Sequence, residues 1–170
     1  MALPAMKQLG EELRLTVNLG MWEGNGVLIV ECIPVPDLLT FYSEIGDRLP
    51  AHATALGKSM LAFRPQDAGG WLLEKKLQRY SPNTLTANDP IRKELKQIQL
   101  RGTAVDVEEY IQGCICVAAP IWNANNIAFA AVSVSGPARN MPADRIQTAG
   151  ELVKAAAMKT SLSLGYRRPK

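Results

Sequence analysis

Hydrophobic residues recur with two different spacings in the first fifth of the chain. Residues 2–13 carry apolar side chains three or four positions apart, which predicts a short helix. Apolar and polar residues then alternate over residues 13–21, the pattern of a half-buried strand. A turn at residues 23–26 leads to a second apolar run at residues 27–33, which ends where Pro34 cannot donate to a sheet. The two runs predict an antiparallel hairpin.

The middle of the chain alternates between loops and helical spacing. We assign it, in chain order, to a short strand at residues 38–42, a loop at 44–53, helices at 51–62 and 66–78, and a loop at 81–84. The next helix is expected to start with Asp89 as its N-cap and Pro90 as its first helical residue. Gly102 is expected to end this helix.

Two strand-like runs and a long helical pattern occupy the last third of the chain. Residues 114–122 and 127–136 flank a polar turn at residues 123–126, which predicts a second hairpin. Helical spacing follows Pro142 and ends before Gly165. Strand pairs separated by helices, with a helix at each end of the chain, predict an α+β domain around an antiparallel sheet.

The second hairpin sorts its side chains into two different faces. If the residues that flank the turn pair with each other, Cys116 lies opposite Ser133. Cys114 then lies opposite Ser135, on the same face of the sheet. The other face carries core residues: Ile115, Val117, Val132 and Val134. A face of small, weakly polar residues is compatible with close helix packing or with a ligand pocket, and the hairpin alone leaves both open.

The start of the helix at residues 51–62 is a candidate anion site. Thr54 is the expected N-cap, so the N–H groups from Ala55 to Gly57 would lack intrahelical partners. Free N–H groups and a partial positive charge at a helix start favour a carboxylate. An ordinary capped helix is the alternative interpretation.

Composition narrows the classes of function. The 170 residues are 47% hydrophobic and 21% charged, as expected for one globular domain. A net charge of +3 is too small to indicate nucleic-acid binding by itself. Three Cys and one His point to a reduced, cytoplasmic environment, and we expect no metal or other cofactor. No apolar run approaches the ~18 residues of a membrane span, so no membrane association is expected.

Three further features are interpreted as structural rather than chemical. A single His is more often a hydrogen-bonding residue than a catalyst, and we assign that role to His52. The sequence around Lys58 matches only the end of a phosphate-binding loop, so this lysine is not assigned to phosphate. The acidic cluster of Asp106, Glu108 and Glu109 lacks the second carboxylate group that glycoside chemistry needs, and it is interpreted as a solvated or loop-capping turn.

Four segments of the chain resemble one known family in sequence, order and spacing. They are LPAHATALGKSMLAF (49–63), SPNTLT (81–86), RGTAVDVEEY with QGCICVAAPIW (101–122), and AAVSVSGP (130–137). The family is that of the IclR-type transcriptional regulators, and the resemblance extends over nearly the whole chain. It implies a GAF-like α+β fold, with an antiparallel sheet, helices on one face, a ligand pocket on the other and a long C-terminal helix.

The resemblance also implies a function. These regulators join an N-terminal winged helix-turn-helix to a C-terminal effector-binding domain. Residues 1–170 resemble the second part alone, and the DNA-binding domain is expected to be absent from this chain. The effector is expected to be a small organic acid whose carboxylate lies at a helix start. The effector-binding positions that match the family are Thr54, Ala55, Leu56, Gly57, Asp106, Cys116, Ser133 and Ser135. A homodimer or homotetramer is expected. It would bind DNA through the absent domain and act as a repressor or activator.

The chain departs from the family pattern at three positions. Ile115 stands where the family often has an Arg before the pocket Cys, and Cys114 is an additional cysteine. Met141 replaces the usual hydroxyl residue before the last helix, so Asn140 is expected to cap that helix instead.

The alternative function is enzymatic. Some GAF-like domains reduce methionine sulfoxide with paired cysteines, for which Cys32, Cys114 and Cys116 are the candidates. Such chemistry needs a thiolate with a positively charged neighbour. No Lys, Arg or His lies near Cys114 or Cys116 in sequence, so we expect a binding domain and not an enzyme.

Overall fold

A computed structural model describes residues 1–35, 43–64, 70 and 76–167 of the chain. Within them the helices are α1 (Leu3–Leu13), α2 (Ala55–Leu61), α3 (Asn88–Arg101) and α4 (Ala143–Ser163), with a short 3-10 turn at Ala138–Asn140. The strands are β1 (Thr16–Glu23), β2 (Gly26–Ile33), β3 (Arg48–Pro50), β4 (Ala104–Val107), β5 (Cys114–Trp122) and β6 (Ala128–Pro137).

The six strands form one antiparallel sheet in the order β3-β2-β1-β6-β5-β4. The two predicted hairpins, β1-β2 and β5-β6, lie side by side because β1 pairs with β6. This contact brings residues more than one hundred positions apart in sequence onto neighbouring strands. It also makes β1 and β6 the centre of the sheet, where both faces must be covered.

Helices cover both faces of the sheet. On one face, α1 and α4 pack on a core that contains Ile115, Val117, Val132 and Val134, as the alternation along the second hairpin predicts. On the other face, α2 and Ile98 of α3 form a second core with Ala104, Ala118 and Ala131. The alanines let α2 approach the strands closely, and the rest of this face is left for polar residues.

The first predicted elements are confirmed, and the following region differs. The helix and the hairpin lie close to the expected residues, and Gly24 takes the left-handed conformation in the turn. The expected loop at residues 44–53 contains the short strand β3, which extends the sheet beyond β2. The strand expected at residues 38–42 lies outside the described residues. Of the helix expected at 66–78, the described residue 70 is helical and the described residues 76–78 are not.

The expected cap of α3 is wrong by two residues. The helix begins at Asn88, with Ala87 as its N-cap and no side-chain cap, and Asp89 lies in its first turn. A carboxylate there still faces the positive end of the helix dipole, which explains why the sequence resembles a cap. The expected end is confirmed, since Gly102 takes a φ of 77° that favours glycine.

The register expected for the second hairpin is wrong, although the assignment of its faces is right. Cys116 pairs with Ser135, whereas Ser133 pairs with Ala118. Trp122 pairs with Ala128 instead of Ile127, which shifts the register by one residue, and a bulge between Ile121 and Trp122 shifts it by one more. The N–H of Trp122 donates to Ser161 Oγ at 2.9 Å. Because the register changes by an even number of residues, every side chain keeps its face.

The long C-terminal helix is confirmed, but its expected cap is not. The N-cap residue is Pro142, which makes no side-chain cap. The backbone carbonyl of Asn140 instead accepts a hydrogen bond from Arg145 Nη1 at 2.8 Å. Gly165 follows the helix with a φ of 84°, as expected for a helix end. In the part of the chain that the structure describes, no helix combines the length and the apolarity needed to cross a bilayer.

Candidate functional site

A small polar cavity lies between the sheet and the start of α2. Its volume is about 40 Å³, and its walls come from the central strands, from α2 and from the segment after β4. The lining residues are Asn18, Ser43, Leu49, Thr54, Ala55, Leu56, Asp106, Tyr110, Ile111, Cys114, Cys116, Ser133 and Ser135. Seven of the eight residues expected from the sequence are in this set, and Gly57 is not.

The sheet places five side chains beside the cavity through strand pairing. Asn18 of β1 pairs with Ser133 of β6, and Cys116 of β5 pairs with both Ser135 and Asp106. Side chains of paired residues lie on the same face of a sheet, so all five residues point to one side. This side is opposite the face on which α1 and α4 pack.

The start of α2 presents backbone N–H groups to the cavity. Thr54 has an extended backbone, and its Oγ1 accepts from the N–H of Gly57 at 3.2 Å and donates to the carbonyl of Pro50 at 2.7 Å. The first intrahelical bond runs from Lys58 to Thr54. The N–H groups of Ala55 and Leu56 precede that bond and are the donors left for a guest.

Gly57 serves the packing of α2 rather than the lining of the cavity. A Cβ at this position would lie 2.4 Å from both the Cα and the carbonyl oxygen of Ala51, which is too close for any side chain. Its N–H is already bound by Thr54. The residue therefore lets α2 begin against the preceding segment and leaves ligand contact to its neighbours.

Asp106 is the acidic residue of the cavity. It is 3% exposed, and its Oδ1 accepts from the N–H of Glu109 at 2.6 Å, which closes the turn after β4. Burial raises the pKa of Asp106 to about 7, and the N–H of Glu109 and the charge of Lys58 oppose this rise. The acidic cluster is thus loop-capping as expected, but the expectation of a solvated turn is wrong for Asp106 and Glu109.

A buried ion pair ties α2 to this turn. Lys58 Nζ lies 2.5 Å from Glu109 Oε1 and donates to the carbonyl of Val105 at 2.8 Å, and its side chain is 2% exposed. Burial raises the pKa of Glu109, against the opposing charge of Lys58. Because the bonds of Lys58 are made on either side of Asp106, they fix Asp106 relative to the start of α2.

The SPNT turn, at residues 81–84, binds the acidic turn after β4 from the opposite side. Ser81 Oγ donates to the carbonyl of Glu108 at 2.6 Å, and Thr84 Oγ1 donates to the carbonyl of Glu109 at 2.6 Å. Asn83 Nδ2 donates to the carbonyl of Val107 at 3.1 Å. These bonds satisfy carbonyls of a buried, irregular segment, which gives the motif a structural role.

Asn18 is the residue of the cavity that the sequence analysis missed. It is 3% exposed, and its Nδ2 reaches Ser135 Oγ at 3.4 Å. Its Oδ1 is buried and has no hydrogen-bond partner among the described residues. The available signal for Asn18 in the sequence was an asparagine within an otherwise half-buried strand. Its position beside Ser133, however, depends on the pairing of β1 with β6.

The thiols and the histidine show no catalytic activation. Cys114 Sγ lies 3.8 Å from Cys116 Sγ, and this contact together with burial raises the pKa of Cys116. Burial also raises the pKa of Cys32 and lowers that of His52, whose Nε2 lies 2.9 Å from the carbonyl of Gln78. A reactive thiolate needs the opposite shift. Within the described ranges, no group of three or more His, Cys, Asp or Glu is arranged to hold a metal.

Comparison with known families shows the class to which this fold and cavity belong. The family model named Bacterial transcriptional regulator IclR C-terminal matches residues 1–162. The fold and the match define the C-terminal domain of a bacterial transcriptional regulator. The chain belongs to the IclR family.

Two curated relatives match nearly the whole chain. The HTH-type transcriptional regulator BhcR of Paracoccus denitrificans is 34% identical over 168 residues, which is 98% of this chain and 60% of BhcR. The HTH-type transcriptional repressor AllR of Escherichia coli is 31% identical over 165 residues, 96% of this chain and 61% of AllR. The chain thus spans about three fifths of the length of these relatives.

Solved structures confirm the α+β fold with its antiparallel sheet and long C-terminal helix. The crystal structure of Thermotoga maritima IclR superposes with a TM-score of 0.93 at 31% identity, over 97% of this chain and 67% of that one. An IclR homologue from Microbacterium hydrocarbonoxydans, crystallised with 4-hydroxybenzoate, gives a TM-score of 0.86 at 26% identity, over 96% of this chain and 66% of that one.

The buried ion pair generates a stability prediction. Lys58→Met leaves Glu109 buried without its cation, and we expect a loss of about 3–5 kcal/mol in the free energy of unfolding. Adding Glu109→Gln removes the stranded charge and should restore most of that loss. Urea unfolding of the parent and both variants checks this. A Lys58→Met variant as stable as the parent would show that the pair does not hold the turn.

The raised pKa of Asp106 predicts a dependence of stability on pH. The native state holds this proton more tightly than the unfolded chain, so its contribution to the free energy of unfolding falls as pH rises from about 4 to about 7. Asp106→Asn removes the titration and keeps the oxygen that accepts from Glu109. The variant should therefore gain stability relative to the parent between pH 5 and pH 8, measured by urea unfolding. Asp89→Asn, on exposed helix surface, is the control. Equal pH slopes for parent and Asp106→Asn would contradict the assignment.

Proposed function

We propose that residues 1–170 form the effector-binding domain of a DNA-binding transcriptional regulator, and that the cavity binds a small organic acid. The observation that carries the proposal is the polar cavity, in which a buried, unpartnered oxygen of Asn18 and the first N–H groups of α2 meet. Buried polar groups are normally paired, so an unpaired acceptor oxygen beside a cavity favours a bound guest that also carries a hydrogen-bond donor, such as a hydroxyl group. Membership of the IclR family supports the same conclusion.

The expected guest is a monocarboxylate held by hydrogen bonds rather than by an ion pair. The N–H groups of Ala55 and Leu56, the hydroxyls of Ser133 and Ser135, and the neutral form of Asp106 are the donors beside the cavity. Lys58 cannot serve as counter-ion, because Glu109 occupies it. Hydrogen bonds to a charged group contribute about 1.5–3 kcal/mol each. A few of them give affinities in the micromolar to millimolar range, about 4–8 kcal/mol.

The size of the cavity favours a guest of few atoms. Its volume is about 40 Å³, whereas a protein cavity that admits benzene is about 150 Å³. The 4-hydroxybenzoate bound by the Microbacterium homologue would fit here only if the cavity walls moved apart. We therefore infer that the effector of this chain is smaller than an aromatic acid.

Regulation requires that the acid bind two arrangements of the regulator with different affinity. We propose that DNA contact is made by residues outside this chain, which spans about three fifths of its curated relatives. α2 and the turn after β4 meet at the cavity and are tied together by Lys58. A guest that contacts both would therefore stabilise one arrangement of these two segments.

The enzymatic alternative has little support. Burial and mutual hydrogen bonding raise the pKa of Cys116, and burial raises that of Cys32, so both thiols stay protonated near neutral pH. The similar proteins are named as transcriptional regulators. We propose a cytoplasmic, non-enzymatic binding domain that needs no cofactor.

The cavity yields a binding prediction. The effector is first identified by mass spectrometry of small molecules released from the purified protein and by a thermal-shift screen of small monocarboxylic acids. Calorimetry with that acid should show affinity weakened about tenfold or more in Ser133→Ala, Ser135→Ala and Ala55→Pro, because each removes one donor. Pro is tolerated at the first helical position, so α2 should persist in the last variant.

A matched control separates binding from stability. Ser161 is equally buried but lies in α4, where its hydroxyl accepts from the N–H of Trp122. Ser161→Ala should lower the free energy of unfolding and leave the dissociation constant of the acid unchanged. Unaltered affinity in all three cavity variants would show that the acid binds elsewhere.

We also propose that the chain assembles as a homodimer or homotetramer, on the basis of the family resemblance and of the symmetry common among homo-oligomers. The apolar residues Val27 and Ile29 of β2 are buried in the domain core, so they offer no surface for this assembly. Light scattering at micromolar concentration should give at least twice the mass of the chain. A mass of one chain at every concentration would contradict assembly.

A further inference from the structure

Two cysteine sulfurs stand side by side in the wall of the cavity. Cys114 and Cys116 occupy alternate positions of β5 and therefore point to the same face, with their Sγ atoms 3.8 Å apart. Both residues line the cavity, and Cys116 remains partly accessible whereas Cys114 is buried. The family resemblance assigns only Cys116 to the effector pocket, so the role of Cys114 is left open by it.

The spacing of the two sulfurs suits a bridging atom better than a disulfide. A disulfide requires an S–S distance of about 2.05 Å, whereas the two Sγ atoms here lie 3.8 Å apart. A soft atom bonded to both sulfurs at about 2.3 Å, the length of a Zn–S bond, holds them roughly 3.3–3.8 Å apart for angles near 90–110°. The observed 3.8 Å lies at the edge of that range.

The number of ligands that the protein supplies decides which kind of sulfur-binding atom the two cysteines can hold. A structural zinc site needs four ligands, and the described residues offer no cluster of three or more His, Cys, Asp or Glu for a metal. A trivalent organic arsenical needs only two thiols, because its organic group supplies the third bond. We propose that Cys114 and Cys116 form a dithiol site that captures one small trivalent arsenical.

The reaction is a ligand exchange without a change of oxidation state. In monomethylarsonous acid, the two As–O bonds are replaced by two As–S bonds. Each thiol gives its proton to a departing hydroxide, so two waters are released. The contact with Cys114 and burial raise the pKa of Cys116, which keeps Cys116 in the thiol form that this exchange consumes. Because the sulfurs line the cavity, the arsenical and the proposed effector would exclude each other. This mutual exclusion rests on the proposed function, whereas the capture of the arsenical does not.

Intact-mass spectrometry of the folded chain with one equivalent of monomethylarsonous acid tests the proposal. We expect one methylarsenic group per chain, the loss of two titratable thiols, and retention during washing with 2-mercaptoethanol but release by 2,3-dimercaptopropanol. Cys32→Ser should behave like the parent, whereas Cys114→Ser and Cys116→Ser should lose the group on washing. No adduct, or an adduct that depends on Cys32, would overturn the proposal.

A thermal-shift measurement distinguishes a site in the folded domain from capture by the unfolded chain. Binding to the native pair should raise the Tm of the parent and of Cys32→Ser, since a ligand stabilises the state that it binds. A lowered Tm would mean that the unfolded chain binds better and would overturn the proposal. Failure of both tests would leave the effector proposal standing, because that proposal is measured with an organic acid.

Discussion

The buried bond between Lys58 and Glu109 is the interaction on which the rest of the site depends. A lysine that is 2% exposed on a seven-residue helix is costly unless it is fully paired, and here a carboxylate and a backbone carbonyl bind it. Both partners belong to the segment that also carries Asp106. The pair therefore joins α2 to β4 and the turn that follows it, and the SPNT turn supports that turn from behind.

This arrangement gives the cavity its electrostatic character. Because the buried ammonium group of Lys58 is occupied by Glu109, the described residues of the cavity offer backbone and hydroxyl donors in place of a free cation. Asp106 lies in the same cavity and is uncharged over part of the neutral pH range, which lessens its repulsion of an anion. We propose that such a site holds a small acid loosely enough to respond to changes in the concentration of that acid.

Sequence periodicity predicted the faces of the sheet but could not predict its pairing. The alternation in residues 114–136 placed Cys116, Ser133 and Ser135 on one face correctly, because a shift of two residues leaves faces unchanged. The register itself depends on a bulge at Trp122, whose N–H is taken by Ser161 from a distant helix. Asn18 was missed because its place in the cavity requires the long-range pairing of β1 with β6. The role of Lys58 was missed because burial of a lysine has no local signature.

We propose that the acid lies between the start of α2 and the polar face of the sheet. A crystal structure of the chain grown with the acid identified by screening tests it most directly. The account predicts difference density in the cavity, with carboxylate oxygens within hydrogen-bonding distance of the N–H groups of Ala55 and Leu56 and of the hydroxyl of Ser133. Density for the acid at another surface, such as the groove beside Lys7 and Arg14, with the cavity unchanged, would contradict the account.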